Sequence, residues 1–316
     1  MRAVLVVNPK ATTTSERSRD VLVRALRSEV DLTVAYTRRR GHAMALAAAA
    51  AADGVDLVVT LGGDGTVNEV VNGLLAGEVP GAVESPPPAD RLPALAVVPG
   101  GSTNVFARAL GLPREWPEST SVILEALREG RHRTIGLGRA DDRYFTFCAG
   151  FGLDAAVVHR VEKARHRGRK STPALYLRAT LGQYFLASDR RHPAIALERP
   201  GERTEGALAT VIIQNTAPWT YLGDREINPN PQASFDLGLD VMAFRQLRVP
   251  STARTVTQIL SRNAEPNGPQ VLRLHDLDEF TLVSARPQAF QLDGDYLGER
   301  EKVRFTCVRA ALRVIC

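Results

Sequence analysis

The apolar run Leu57-Val58-Val59-Thr60-Leu61 stops at Gly62-Gly63-Asp64-Gly65-Thr66, and helical spacing of apolar residues starts at Val67. A short β-branched run that turns through glycines into a helix is the repeating unit of a parallel sheet covered by helices. The unit recurs. Residues 95–98 read as a strand, followed by Pro99-Gly100-Gly101-Ser102-Thr103-Asn104 and a helix over about 103–110. Upstream, residues 3–7 and 32–36 read as strands. Val21, Leu22, Ala25 and Leu26 place a helix over 15–26, and an alanine-rich helix is expected over 41–52. The helix after the glycines is expected over 67–75, and another over 119–129. Residues 77–93, with Pro86-Pro87-Pro88, read as an exposed loop.

The pattern changes near residue 134. Residues 134–140, 144–148, 194–198, 208–214, 239–244, 271–274, 279–283 and 289–293 are short runs separated by turn signals, which predicts an antiparallel β domain. Helices are expected within 154–186 and over 252–262. The last run, 303–316, is a strand that returns to the first domain. The resulting division is 1–133, 134–299 and a returning segment of about 300–316.

Composition excludes several classes. Of 316 residues, 44% are hydrophobic, and no run is long enough to span a bilayer. The apolar N-terminus soon meets Asn8 and Pro9, so it reads as a buried strand and not a signal peptide. Three cysteines, Cys148, Cys307 and Cys316, form no metal-ligand spacing or paired framework, which suits a reducing cytoplasm. A net charge of +5 is too small to argue for nucleic acid, and none is expected as a partner; phosphates or an anionic membrane surface suit it equally. Oligomeric state is open, a homodimer included.

Glycines at a strand end let backbone N–H groups approach a phosphate, and the helix start behind them adds unpaired donors. Asp64 repels a phosphate unless Mg²⁺ lies between them. The bland alternative is a tight turn with Asp64 as helix cap. Neither glycine turn is a Walker loop, and no dinucleotide fingerprint follows the first strand.

Residues 62–69 and 99–108 together resemble the catalytic domain shared by diacylglycerol kinases, sphingosine and ceramide kinases and their bacterial relatives, a distant fold cousin of NAD kinases. The resemblance continues at Asn8-Pro9, at Thr37 with Gly41-His42-Ala43, at Gly150-Phe151-Gly152-Leu153-Asp154, at Asp236 with Leu239-Asp240-Val241, and at Leu292-Asp293-Gly294-Asp295. It implies an α/β fold: a three-layer, Rossmann-like nucleotide domain followed by a β-sandwich lipid-binding domain, with the active site in the cleft between them. ATP and Mg²⁺ are the implied cofactors. Implied nucleotide contacts are Asn8, Pro9, Lys10, Ala11, Thr12, Thr37, Gly63, Asp64, Gly65, Thr66, Val67, Asn68, Glu69 and Ser102. Asp64 and Asp154 join the Mg²⁺ network, and a structural Mg²⁺ is held by the Asp236 carboxylate and the carbonyls of Ala233 and Gly238.

The general base implied by the resemblance is Asp295, standing where the family usually carries Glu. It has similar acidity but is one methylene shorter. The bland alternative for Asp293-Gly294 is a hairpin turn. Other departures are Thr12 in place of a loop glycine, Val105 in place of an acid, and Phe235 in place of the first Asp of the structural Mg²⁺ loop. The expected activity is transfer of the ATP γ-phosphate to a lipid hydroxyl, diacylglycerol by default, by a cytoplasmic protein peripheral to the inner face of the membrane. An NAD kinase-like enzyme and a non-catalytic nucleotide sensor are the alternatives. The basic stretch 159–170, with Arg160, Lys163, Arg165, Arg167, Arg169 and Lys170 against Glu162, precedes Leu175, Tyr176, Leu177, Tyr184 and Phe185; it suits an anionic membrane surface or a solvated helix. His42 is expected to be structural, and the other five histidines have no constellation around them.

Overall fold

In a computed structural model, the structure describes residues 1–10, 15–76, 87–166 and 192–316. The chain divides into two compact units, Met1–Leu137 with Arg309–Cys316, and Gly138–Val308.

The first unit is built on parallel strands β1 (Arg2–Val7), β2 (Asp31–Tyr36), β3 (Leu57–Gly62) and β4 (Ala94–Pro99). Their order is β4-β3-β1-β2, with Ala3 paired to Leu57 and Leu57 to Ala94. The last strand of the chain, β16 (Asp295–Val314), adds its end beside β4 through the parallel pair Val314–Leu95. Every residue of β3 and β4 is buried, as expected of central strands covered on both faces.

The helices of this unit are α1 (Glu16–Arg27), α2 (His42–Ala52), α3 (Asp64–Leu74), α4 (Val105–Ala109) and α5 (Trp116–Glu129). Helix α3 begins three residues before the expected start, because Asp64, Gly65 and Thr66 already form its first turn. Helix α4 is shorter than the expected 103–110, since Asn104 sits in the left-handed region at φ 51° and stops any earlier start. The alanine tract has a packing reason. Ala43, Ala47 and Ala50 are buried, and α3 brings Gly73 so close to α2 that a Cβ there would lie 2.2 Å from the Met44 carbonyl oxygen. Small residues on both helices permit that approach.

The second unit is antiparallel. Its main sheet runs β14 (Val271–Leu277), β13 (Leu239–Phe244), β10 (Thr210–Gln214), β7 (Cys148–Phe151), β15 (Glu279–Leu292) and β16. The expected strands 279–283 and 289–293 are one long strand, β15. Its first half, residues 281–284, pairs with β8 (Ile195–Glu198), which in turn pairs β9 (Glu205–Leu208). Its last residues, 290–292, pair with β7. A register shift between Val283 and Gln288 separates the halves, so β15 carries one layer of the sandwich into the other. Between the layers lies a core containing Phe145, Phe151, Phe280, Phe290 and Phe305. Phe305 stacks on Phe280 at 5.0 Å and meets Phe145 and Phe290 edge-on.

The expected strand 144–148 is broken. Strands β5 (Arg133–Ala140) and β6 (Arg143–Phe145) form a hairpin, Thr146 and Phe147 leave the ladder, and β7 starts at Cys148. The hairpin β11 (Thr220–Leu222) and β12 (Arg225–Ile227) was not visible in the sequence pattern. Helix α6 spans Leu153–His166 and helix α7 Val249–Ile259; the remainder of the expected helical stretch to 186 lies outside the described residues.

Gly73→Ala forces a methyl against backbone that cannot yield by rotation. It is expected to destabilise the protein by about 1–3 kcal/mol, as overpacking does. Urea unfolding measures this, and an unchanged midpoint would show that α2 and α3 separate at no cost.

Candidate active site

The strands β1 to β4 end at one edge of the parallel sheet, so Asn8, Thr37, Gly63 and the turn after Pro99 share that edge, where open α/β sheets bind ligands. The two glycine turns are in direct contact. Gly62 pairs with Pro99, and the Gly100 N–H donates to the Gly62 carbonyl at 2.9 Å. A Cβ on Gly101 would lie 2.7 Å from the Gly63 Cα, and one on Gly63 would lie 3.3 Å from the Gly101 Cα. Neither glycine has a positive φ. They are needed for closeness, not for an unusual backbone.

Side chains lock the pair. Asp64 accepts the Val105 N–H through Oδ2 and the Phe106 N–H through Oδ1, both at 3.1 Å, so it caps α4 from across the turn. Asn104 closes its own loop, taking the Gly101 N–H and donating to the Gly101 carbonyl. Asn8 donates to Thr66 Oγ1 at 3.2 Å, which ties the first loop to the same place. Lys10 donates its N–H to Asn8 Oδ1, and Pro9 and Lys10 are exposed. Helix α3 has Gly63 at its cap with no side-chain cap bond. Its first turn therefore offers amides to an anion.

The residues implied as nucleotide contacts separate into two groups. Ser102 is exposed, and Thr37 is partly exposed, its N–H held by the Val7 carbonyl. Val67 and Asn68 are buried, and Asn68 bonds Asn72 one turn on. Glu69 accepts from the Gly41 and Ala43 N–H groups at 2.7 and 3.1 Å, so its side chain caps α2. Ala11 and Thr12 lie outside the described residues. His42 accepts the Arg38 N–H through Nδ1, a local structural bond.

In the second unit, Asp293 and Gly294 form the two-residue turn between β15 and β16. Both have positive φ, 48° and 81°, as a type I′ turn requires. The Asp293 carboxylate is buried and accepts from the Thr146, Phe147 and Cys148 N–H groups and from Thr146 Oγ1. Those bonds draw Thr146 and Phe147 out of the expected strand and pin the turn that carries Asp295, which is partly exposed.

Asp154 lies in the first turn of α6. Gln291 Nε2 donates to its Oδ2 at 2.9 Å, while Gln291 Oε1 accepts the Gly294 N–H at 2.9 Å. One buried amide thus links Asp154 to the turn beside Asp295. Gly150 makes room: a Cβ there would lie 2.0 Å from Asp154 Oδ2. Burial pushes the Asp154 carboxyl up to about 6, against the opposing effect of the Gln291 hydrogen bond. Gln291 escaped the sequence reading; its only signal is a polar residue between Phe290 and Leu292 in an apolar strand.

Asp236 is exposed, its N–H bonded to Ser234 Oγ. The Ala233 carbonyl already accepts the Ala217 N–H, and the Gly238 N–H donates to Asp276 Oδ1. The histidine expectation needs correction at two positions. His275 Nδ1 lies 2.8 Å from Oδ1 of the buried Asp240, and His159 packs on the Tyr296 ring at 3.9 Å. Of the basic stretch, Arg160 and Lys163 are on α6, where Glu162 accepts the Tyr296 N–H. Residues 167–170 and Leu175, Tyr176, Leu177, Tyr184 and Phe185 lie outside the described residues. No group of three metal-ligating side chains gathers among the described residues. Mg²⁺ commonly takes only one or two carboxylates, with water and phosphate completing its shell.

A carboxyl pKa raised in the folded state stabilises the fold at low pH, and that contribution is lost as pH rises through about 6. In the metal-free protein, wild type should therefore lose on the order of 2–3 kcal/mol relative to Asp154→Asn between pH 4 and pH 7. Parallel denaturation curves at each pH check this; a constant difference would exclude a raised carboxyl pKa at Asp154.

Residues 2–140 match the family model described as the diacylglycerol kinase catalytic domain. The chain is 30% identical over 317 residues to "Probable lipid kinase YegS-like" of Stenotrophomonas maltophilia, covering 98% of this chain and 94% of that protein. It is 29% identical to the diacylglycerol kinase of Bacillus subtilis over 82% of this chain and 77% of that protein. A match to a Staphylococcus saprophyticus diacylglycerol kinase, 32% identical, spans 38% of that protein. Among solved structures, a diacylglycerol kinase from Bacillus anthracis superposes with a TM-score of 0.71 at 19% identity, over 99% of this chain and 96% of that one. An NAD kinase from Archaeoglobus fulgidus, solved with ATP, superposes at 0.53 and 10% identity, over 100% and 94%; both likenesses speak to the fold. At 30% identity to the Stenotrophomonas maltophilia protein over 98% of its length, the chain belongs to the lipid kinase family defined by the diacylglycerol kinase catalytic domain.

Proposed function

We propose that this protein is an ATP-dependent lipid kinase that phosphorylates a lipid hydroxyl, with diacylglycerol the first substrate to test. The observation that carries the proposal is the contact of Gly63 with Gly101, which holds two side-chain-free turns together at the start of α3. Amides of Gly63 and Gly65 and the side chains of Asn8, Thr37, Thr66 and Ser102 are then the groups that hold and orient the nucleotide phosphates, with Lys10 able to reach outward to them. When bound, ATP supplies the γ-phosphoryl group, and Mg²⁺ offsets charge on the phosphate oxygens. Asp64 and Asp154 are the carboxylates assigned to that cation. Asp295 accepts the proton of the attacking lipid hydroxyl, so that the oxygen bonds to phosphorus as ADP leaves. The turn pinned by Asp293 and braced by Gln291 fixes where that carboxylate stands. A second cation loop at Ala233, Asp236 and Gly238 belongs to the same proposal, with one exposed carboxylate and two carbonyls as its donors.

No helix among the described residues is long and apolar enough to cross a membrane. The proposed location is peripheral, on the cytoplasmic face.

The deciding assay supplies labelled ATP, Mg²⁺ and a panel of hydroxylated lipids in mixed micelles, with NAD as control. Label in a lipid is the expected result. Label in NAD alone, or ATP binding without transfer, overturns it. Asp295→Asn should lower kcat by about 10²–10⁴, the usual worth of a positioned base, with an unchanged circular dichroism spectrum. Full turnover by that variant would remove Asp295 from the mechanism. Gln291→Leu should lower kcat more than it raises the lipid KM, and Gln291→Glu should not restore it, because a carboxylate can accept the Gly294 N–H but has no N–H to donate to Asp154.

A further inference from the structure

Helix α7 presents an apolar stripe to solvent. Val249, Ala253 and Val256 follow one another at helical spacing of four and three, and all are exposed, Val249 at 47% and Val256 at 42%. The opposite face of the helix is anchored: Ile259 and Leu260 pack with Leu247, Ile212, Met242 and Ile227. The exposed stripe is therefore surplus to the fold. Leu222, at the tip of the β11–β12 hairpin, is exposed at 48%. These three are all of the exposed large hydrophobic side chains that the second unit has among the described residues. The hairpin meets the end of α7 across a cavity of about 490 Å³ lined by Asp224, Arg225, Glu226, Asn228 and Arg262.

The charge carried by α7 and its flanking residues has one sign. From Arg245 to Ala264 there are four arginines and no carboxylate. Arg245 is taken by Glu205 at 2.7 Å. The guanidinium groups of Arg248, Arg254 and Arg262 make no hydrogen bond or ion pair among the described residues. Asp224, Glu226 and Glu265 approach only at the Arg262 end, where they line the two cavities beside it. The N-terminal and central parts of α7 carry uncompensated positive charge flanking valines.

We infer that the outer face of α7, with the β11–β12 tip, is a docking surface for an anionic phospholipid bilayer. Exposed aliphatic side chains enter the boundary between headgroups and acyl chains, while flanking arginines meet lipid phosphates. A protein partner would need a shaped complementary surface and polar rim; a short stripe of valines flanked by Arg248 and Arg254, which have no partner among the described residues, asks only for apolar depth and negative charge. The occupant is taken from the lipid-kinase proposal, whose substrate resides in a bilayer.

The test uses the full chain, sedimented with phosphatidylcholine vesicles with and without phosphatidylglycerol. Wild type is expected to bind only the anionic vesicles, and to release them at high salt. Replacing Arg248→Gln together with Arg254→Gln should weaken that binding by about fivefold per arginine, on the order of 25-fold in all. Val249→Ser with Val256→Ser should weaken it as well. Both pairs are on the surface, and an unchanged Tm confirms that they fold. Phosphorylation of a short-chain lipid dispersed in water should be unaffected, while that of the same lipid in anionic vesicles falls. Vesicle binding by both variants at wild-type strength, or equal binding of wild type to neutral and anionic vesicles, overturns the docking surface. Variant-sensitive vesicle binding without phosphorylation of any lipid would instead overturn the lipid-kinase proposal and leave the surface standing.

Discussion

Gly63 and Gly101 lie against one another with only hydrogens between their Cα atoms, and most of what surrounds the nucleotide edge depends on that contact. A side chain at either position would push the β3 and β4 turns apart. The Gly100–Gly62 hydrogen bond would lengthen, and the Asp64 carboxylate would lose its reach to Val105 and Phe106. Asp64 thereby acts as a fastener whatever else it binds. One carboxylate caps α4, and Glu69, on the next turn of α3, caps α2. Helix α3 uses its acids to secure two neighbouring helices and leaves its own N-terminus to other anions.

The second unit handles its carboxylates in contrasting ways. Asp293 is buried and accepts from the Thr146, Phe147 and Cys148 amides and the Thr146 hydroxyl, which makes it a structural anchor. Among the described residues Asp154 receives one donor, from Gln291, in a space that exists because residue 150 has no side chain. An incompletely satisfied carboxylate in a desolvated place resists ionisation, and its pKa rises to about 6. Incomplete satisfaction is costly for stability, and it is the condition in which a cation or proton has most to gain by arriving.

Much of the first unit was legible because its signals are local. The runs at Leu57, Leu95 and Leu32 are bounded by glycines or polar residues, and a buried parallel strand needs nothing more to be recognised. Helix α4 was read too long because Asn104, of a residue type that tolerates the left-handed region, is held there by its bonds to Gly101. The break at Thr146 was missed for a similar reason: the groups that pull it out of the ladder belong to Asp293, far along the chain. The two halves of β15 were read as separate strands, since the register shift at residues 283–288 looks in sequence like a turn.

By itself, the sequence determined where the chain turns and which residues could meet phosphate: glycines after apolar runs, an Asp-Gly pair that selects a type I′ hairpin, and a scattered set of acids. Only the tertiary structure decided what those acids hold. Asp64 and Glu69 reach amides of other helices, Asp293 takes the backbone of a distant strand, and Gln291, unremarkable in sequence, joins Asp154 to the turn before Asp295. Backbone preferences act over a few residues and are written locally, whereas a carboxylate's partner is set by whichever N–H groups folding brings within about 3 Å.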